Sequence, residues 1–539
     1  MKIRTSSCNL IILAVVLCLS IPDSGTAQTK PQTKSARFKV TFADAARKEA
    51  TSGRVIVALS RTANFRLSET GTPFFGINVD DLKPGQAAFV DAGVLGHPVR
   101  SLNDIPPGDY YVKGWLNVYT TFHRADGHVI KLHQDQGEGQ NWQRSPGNLF
   151  SQPQKIRFDP AAGEIHEIVL DQVIPPITPP PDTEYVKHVR IQSKLLTEFW
   201  GQPMHIGATV LLPKGFNEHP EARYPVVFSV GHFSSRAPMG GATAAWLAED
   251  TPRMLAVTIQ HACPYYDDSY GVNSENCGPY GDAIVKELIP EVEKKFRAIA
   301  KPYARVLTGG STGGWIALAS QVWYPDFYGG CWAGYPDQVD FRYYQIVNIF
   351  RDANAYFIEH DWTRVPRPGS RKADGNINYT MAQENLKEEV MGTRYRSGGQ
   401  WAIWNAVYAP VAKDGYPKPI WDPLTGKIDH EVAEWAKENF DIRYKLEENW
   451  ATLGPKLVGK IHVYCGRMDN YYLNEAAYKL EEFLATTTSP AYGGEFQWGA
   501  RGGHGWSPFR GRNTQLKVMA EHIAKNAPTG ENIKLWQYK

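Results

Sequence analysis

The sequence predicts an α/β fold, a mainly parallel sheet flanked by helices and carrying an inserted cap, preceded by an all-β, sandwich-like domain. Two patterns and one boundary carry this reading. Residues 184–539 alternate short apolar, β-branched runs with amphipathic stretches at helical spacing, as strands buried beneath helices do. Residues 36–172 hold short alternating runs broken by Gly, Pro and Asp, the pattern of an antiparallel β module. Between them, residues 173–183 include Pro175-Pro176-Ile177-Thr178-Pro179-Pro180-Pro181, a composition that favours a stiff, extended connector.

The elements follow in order. Lys2 and Arg4 precede an apolar run from Leu10 to Ile21 and a polar stretch ending Gly25-Thr26-Ala27, the layout of a secretory signal peptide over residues 1–27. The run is too short for a membrane span, which needs roughly 20 apolar residues, so a secreted or periplasmic location is expected. In the β module, Phe38 to Phe42, Val55 to Leu59, Tyr110 to Val112 and Ile165 to Leu170 read as strands, and Thr121 to Pro153 as a long, polar loop, solvated in preference to serving as a contact surface. Beyond the connector, Pro225 to Val230, Met254 to Ile259, Arg305 to Thr308, Cys331 to Tyr335 and Ile461 to Gly466 read as strands hidden on both faces. Ile284, Val285, Leu288, Ile289, Val292 and Phe296 recur at helical spacing, as do Leu473, Ala476, Ala477, Leu480, Phe483 and Leu484. Residues 337–456 break the rhythm with helical, Trp-rich pieces, and their place between two late strands predicts a cap over the sheet.

The charge balance excludes some partners. The 58 basic and 56 acidic residues fall to 56 and 55 once Lys2, Arg4 and Asp23 leave with the leader. That balance provides no long-range field for nucleic acid or an anionic membrane. A small or neutral partner fits better, and the oligomeric state stays open. Four cysteines remain after the leader. No Cys-x-x-Cys pair occurs among them, so neither a zinc site nor a thiol redox motif is expected. Cys263 and Cys277 flank one polar loop, and spacing leaves them open between a disulfide and free thiols. Cys331 and Cys465, in apolar runs, read as buried thiols.

The chemistry concentrates after the strand Arg305 to Thr308, where Gly309-Gly310-Ser311-Thr312-Gly313-Gly314 leads into a helix-compatible run. Gly-x-Ser-x-Gly between strand and helix is a nucleophile elbow: the turn is so tight that Gly309 and Gly313 are needed to avoid clashes around Ser311. A serine nucleophile needs a base, and the base needs an acid that fixes its tautomer. In chain order these are Asp469, just past the strand Ile461 to Gly466, and His504, in the Gly-lined Arg501-Gly502-Gly503-His504-Gly505-Trp506 loop. Asp337, past another strand, is the rival acid; His462 is mid-strand, and His360 and His430 fall in the cap. For the oxyanion, Thr312 supplies the backbone N–H after the nucleophile, and His232 or Phe233, in the loop after Val226 to Val230, supplies the second.

Asn273 to Asp282, reading Asn-Ser-Glu-Asn-Cys-Gly-Pro-Tyr-Gly-Asp and leading into Ala283 to Pro290, resembles the putative esterase family of α/β-hydrolases, which includes esterase D, feruloyl esterases and enterochelin esterases. Gly309 to Gly314, Gly466 to Asn470 and Gly503-His504 agree with that family's catalytic segments. The resemblance covers about residues 185–335 and 457–530, and some relatives also carry an N-terminal β domain. It implies Ser311 as nucleophile, His504 as base and Asp469 as acid, with no metal and no organic cofactor. The insertion at 337–456 departs from the compact family pattern, and the loop after the early strand lacks three consecutive glycines. The expected activity is hydrolysis of carboxylic esters through an acyl-enzyme, on a small-molecule or glycan-linked ester, carbohydrate-linked or hydroxycinnamoyl. A serine peptidase or acyltransferase on the same fold, and a non-catalytic carbohydrate-binding protein, are the alternatives.

Overall fold

The computed structural model describes residues 35–538, so the leader at residues 1–27 lies outside the described residues. The N-terminal part builds two sheets. One has three strands, with Arg37–Phe42 between Ile165–Leu170 and Ala88–Val90. The other has seven strands, centred on Thr51–Ser60 and Gly108–Val118, which pair antiparallel. Alternation decides which face each residue covers. Val55, Val57 and Leu59 join Phe38, Val40 and Phe42 in a core between the sheets, while Ile56 and Ala58 face the opposite way.

That opposite face meets the cap rather than water. Ile56, Ala58, Phe74 and Trp115 pack with Trp142 and with Val390 of the cap in a separate apolar cluster. Polar contacts seal it: the buried Arg54 donates to the Val390 carbonyl at 2.7 Å, and Asn78 Nδ2 donates to Thr393 Oγ1 at 2.8 Å. The Trp115 ring meets those of Phe65 and Trp142 edge-on, with centroids 5.9 and 6.3 Å apart. Trp115→Ala is therefore expected to cost about 3–5 kcal/mol, lowering the Tm and raising protease sensitivity in the cap. Cleavage confined to the N-terminal sheets would contradict the shared cluster.

The stretch 121–153 differs from the solvated loop expected of it. Thr120–His123 and Val129–Leu132 form a hairpin whose Phe122, Ile130 and Leu132 enter the core of the C-terminal part. Phe122 lies against Trp200 with ring centroids 4.9 Å apart. These three apolar residues alternate with polar ones, a period-two signal that the surrounding polar composition obscures.

The C-terminal part is an eight-stranded sheet of β1 (Val186–Ser193), β2 (Met204–Leu211), β3 (Val226–Ser229), β4 (Leu255–Gln260), β5 (Arg305–Gly310), β6 (Gly330–Gly334), β7 (Ile461–Gly466) and β8 (Glu495–Gly499). Their spatial order is 1-2-4-3-5-6-7-8, with β2 antiparallel to both its neighbours and the rest parallel. Helix α1 (Thr312–Trp323) is almost wholly buried and packs on β5 and β6. Among the described residues no helix is long and apolar enough to cross a membrane.

Between β6 and β7 the chain leaves the sheet to form the cap. It holds α2 (Met381–Met391), α3 (Gln400–Tyr408), α4 (His430–Phe440), α5 (Ile442–Leu457) and two hairpins, Phe357–Glu359 with Arg364–Pro366 and Pro368–Arg371 with Ile377–Thr380. Trp401, Trp404 and Trp421 surround Tyr344 with ring centroids 5.5–6.1 Å away. They are the cap's own core, whereas Trp362 is 95% exposed. The open question at Cys263 and Cys277 resolves against a disulfide: both are buried free thiols, and Cys263 Sγ donates to the Asp268 carbonyl at 3.4 Å.

Candidate active site

Ser311 sits between the end of β5 and the start of α1 with φ 59° and ψ −124°, a backbone strained for any residue with a side chain. The flanking glycines make that turn sterically accessible. A Cβ on Gly309 would lie 2.3 Å from the Gly313 carbonyl oxygen, and one on Gly313 would lie 2.1 Å from that of Val230. Backbone bonds fix the elbow from both sides: Ser311 N–H donates to Gly334 O at 3.0 Å, and Trp315 N–H to Ser311 O at 3.1 Å.

Asp469 and His504 are brought together. His504 Nδ1 lies 2.9 Å from Asp469 Oδ2, while Asp469 Oδ1 accepts the N–H of Tyr471 at 2.9 Å. The carboxylate is fully buried, and the imidazole is held edge-on between Tyr335 and Tyr471, with centroids 4.8 and 4.9 Å away. Asn470, whose role sequence reasoning missed, accepts the His504 N–H at 2.7 Å through its side chain. The same side chain donates to the Arg371 carbonyl at 2.6 Å, and Arg371 N–H returns a bond to Asn470 O at 2.8 Å. The cap hairpin is thereby stitched to the loop bearing Asp469. Adjacency of Asn470 to Asp469 was the available signal.

The rival acid, Asp337, contacts the serine and not the histidine. Ser311 Oγ donates to Asp337 Oδ1 at 3.3 Å, and Thr312 Oγ1 and Trp404 Nε1 each donate to Oδ2 at 3.2 Å, with Tyr270 OH as a further donor. Burial pushes this carboxyl up from its ordinary pKa, and the Tyr270 hydroxyl and nearby imidazoles partly offset the shift.

On the oxyanion side, Thr312 opens α1, where backbone N–H groups have no intrahelical acceptor. The loop after β3 passes over that helix end at Gly231, whose Cβ would stand 3.3 Å from Gly313 Cα. His232 follows, with Nδ1 3.0 Å from Asp267 Oδ1 and 3.4 Å from Asp268 Oδ2. Phe233 lies under Gly139 of the N-terminal part, where an added Cβ would fall 2.2 Å from its ring. His232, Asp267 and Asp268 can offer three metal-ligand atoms within 4.8 Å of one another, yet here they form an imidazole between two carboxylates.

Burial alone would lower the His232 pKa, but hydrogen bonds and charge from Asp267 and Asp268 outweigh it and raise the value to about 11. A raised folded-state pKa gives stability that is fully present below the unfolded value of roughly 6.5 and is lost as pH climbs toward 11. The stability of the wild type relative to His232→Gln is thus expected to shrink between pH 6.5 and pH 11 in urea unfolding. A difference that grows with pH would contradict the ion pair.

The strand order, the elbow after β5 and the functional loops after β7 and β8 together define an α/β-hydrolase. Residues 201–442 match the family model Esterase, described as putative esterase. The match ends before β7, so Asp469 and His504 lie beyond it. No curated relative matches the chain. Among solved structures it is similar to a ferulic acid esterase, at 15% identity over 63% of this chain and 96% of that one, with a TM-score of 0.32. An S-formylglutathione hydrolase from Agrobacterium tumefaciens is similar at 12% identity, over 64% of this chain and 96% of that one, TM-score 0.32. FphF, a fluorophosphonate-binding serine hydrolase of Staphylococcus aureus, is similar at 12% identity, over 63% and 98%, TM-score 0.32.

Proposed function

We propose that this protein is an exported serine esterase that hydrolyses carboxylic esters through an acyl-enzyme, on carbohydrate-linked or hydroxycinnamoyl substrates. The observations that carry the reading are the strained Ser311 elbow at the end of β5 and an imidazole anchored by a buried carboxylate at 2.9 Å, with Asp337, which accepts from Ser311 Oγ, feeling the charge of that imidazole. The signal-peptide layout of residues 1–27 supports export.

In this mechanism the Ser311 hydroxyl leaves Asp337 by rotation about χ1 and turns to His504 Nε2; catalytic hydrogen bonds are often unmade before substrate binds. Oγ attacks the ester carbonyl as its proton passes to Nε2, and Asp469 stabilises the resulting imidazolium. The tetrahedral oxyanion accepts the Thr312 N–H and one from the His232–Phe233 loop. Collapse breaks the bond to the alcohol, which leaves with the proton from Nε2. Water, deprotonated by the same nitrogen, then releases the acid and restores Ser311.

The test is labelling of the exported fraction with a fluorophosphonate, followed by a substrate screen. A labelled chain beginning at Gln28, with Ser311 as the modified residue, is the expected result. A folded chain that takes no label, or label on another residue, would overturn the reading.

A further inference from the structure

We propose that the segment 65–70 of the N-terminal module is a wall of the catalytic cleft, and that its Arg66 binds a carboxylate on the alcohol half of the ester. The inference rests on the serine-esterase reading. The segment joins Thr51–Ser60 to Phe74–Leu82 and is distant in sequence from every catalytic residue, yet its side chains line two cavities, one of them shared with His504. Arg66, Ser68, Glu69 and Thr70 face one of about 430 Å³ that His504 also lines. Phe65 and Leu67 turn the other way, into one of about 270 Å³ shared with Tyr266 and Met391.

The segment is anchored where it stands. Lys387 of α2 donates to Glu69 Oε1 at 2.6 Å, and the Glu69 carbonyl lies 2.8 Å from His97 Nε2. Burial would raise the Glu69 pKa, but Lys387 outweighs it and the value is lowered, so the pair stays charged and internally neutral. Arg66 differs. Among the described residues its guanidinium makes no hydrogen bond and no ion pair, and the residue is exposed. Beside Glu69, the other module residues lining the 430 Å³ space are the hydroxyl-bearing Ser68 and Thr70, and the cap contributes Ser370, the Asn378 amide and Tyr379.

The mechanism assigns that space. His504 returns its proton to the departing alcohol, so the cavity it lines receives the alcohol half of the substrate. A cavity lined by hydroxyls and an amide suits a polyhydroxylated group, and a free guanidinium presents the planar fork that pairs with a carboxylate through two parallel hydrogen bonds. The substrate class is therefore an ester on a hydroxyl of a sugar acid.

The experiment compares acetyl glucuronate with acetyl glucose, using wild type, Arg66→Ala and Arg66→Lys, each first checked for folding by thermal unfolding and for an intact nucleophile by fluorophosphonate labelling. Wild type is expected to favour the glucuronate ester. Arg66→Ala is expected to cut the ratio of the two kcat/KM values about tenfold, chiefly through KM, and Arg66→Lys to recover part of it, because charge returns without the fork. Added salt is expected to weaken the preference. An unchanged ratio in labelled Arg66→Ala protein would overturn this inference alone. Absence of label in the wild type would overturn the esterase reading and this inference with it.

Discussion

Ser311→Ala is expected to abolish fluorophosphonate labelling and to lower kcat on any accepted ester by roughly 10⁶-fold, the scale seen when a triad serine is removed. At about 1.4 kcal/mol per decade this is roughly 8 kcal/mol of transition-state stabilisation. The fold should survive. Ser311 Oγ makes one long bond, 3.3 Å to Asp337, and the elbow is held by backbone groups that alanine keeps. Activity measured beside thermal unfolding separates the outcomes: lost turnover at an unchanged Tm is expected. Residual activity within tenfold of wild type would show that another group carries the nucleophilic step.

The second large effect belongs to the acid, and it separates two buried aspartates. Asp469→Asn is expected to lower kcat by about 10⁴-fold, because an amide in that place no longer fixes the imidazole tautomer or stabilises its charged form. An asparagine oxygen can keep the Tyr471 N–H at 2.9 Å, but its NH₂ group then faces His504 Nδ1 in place of an acceptor and imposes the wrong tautomer, so the loss is one of chemistry. Asp337→Asn should behave differently. Its carboxylate accepts from Ser311, Thr312, Trp404 and Tyr270, and the Trp404 N–H cannot reverse its role when an NH₂ group is put before it. The expected cost is about 1–3 kcal/mol of stability for the unsatisfied donor, read as a lower Tm, with a much smaller fall in kcat. The reverse pattern, a mild Asp469→Asn and an inactive Asp337→Asn of normal Tm, would make Asp337 the acid.

Much of this arrangement was legible in the letters because its causes are local. Ile461 to Gly466 spans the same six residues as β7, since an apolar, β-branched run buried on both faces has few other readings. The elbow was legible because no side chain fits at Gly309 or Gly313. β1 and β2 were not named: in β1, Val186-Lys187-His188-Val189-Arg190 lies on the sheet's edge, where polar residues interrupt the apolar pattern, and β2, inside the sheet, carries His205, Gly207 and Thr209 between its apolar residues. The edge strand β8 was missed for the same reason. The contact of Ser311 with Asp337 and the closeness of Arg66 to His504 depend on which chain segments the fold brings together, and no periodicity records that. The hairpin at Thr120–Leu132 shows the limit within a single element, for three buried apolar residues were outnumbered by their polar neighbours.

The bonds between Arg371 and Asn470 bear on how substrate enters. A roof that swings must break what ties it to the floor, and here the tie is the same asparagine that holds the His504 backbone. Lifting the hairpin Pro368–Thr380 would dislodge the base from its acid, so an open state of that kind would be chemically idle. Bonds of this kind favour entry from the side over lifting of the hairpin. That geometry admits a pendant group or a chain end more readily than the middle of a long polymer, and turnover need not wait on a hinge.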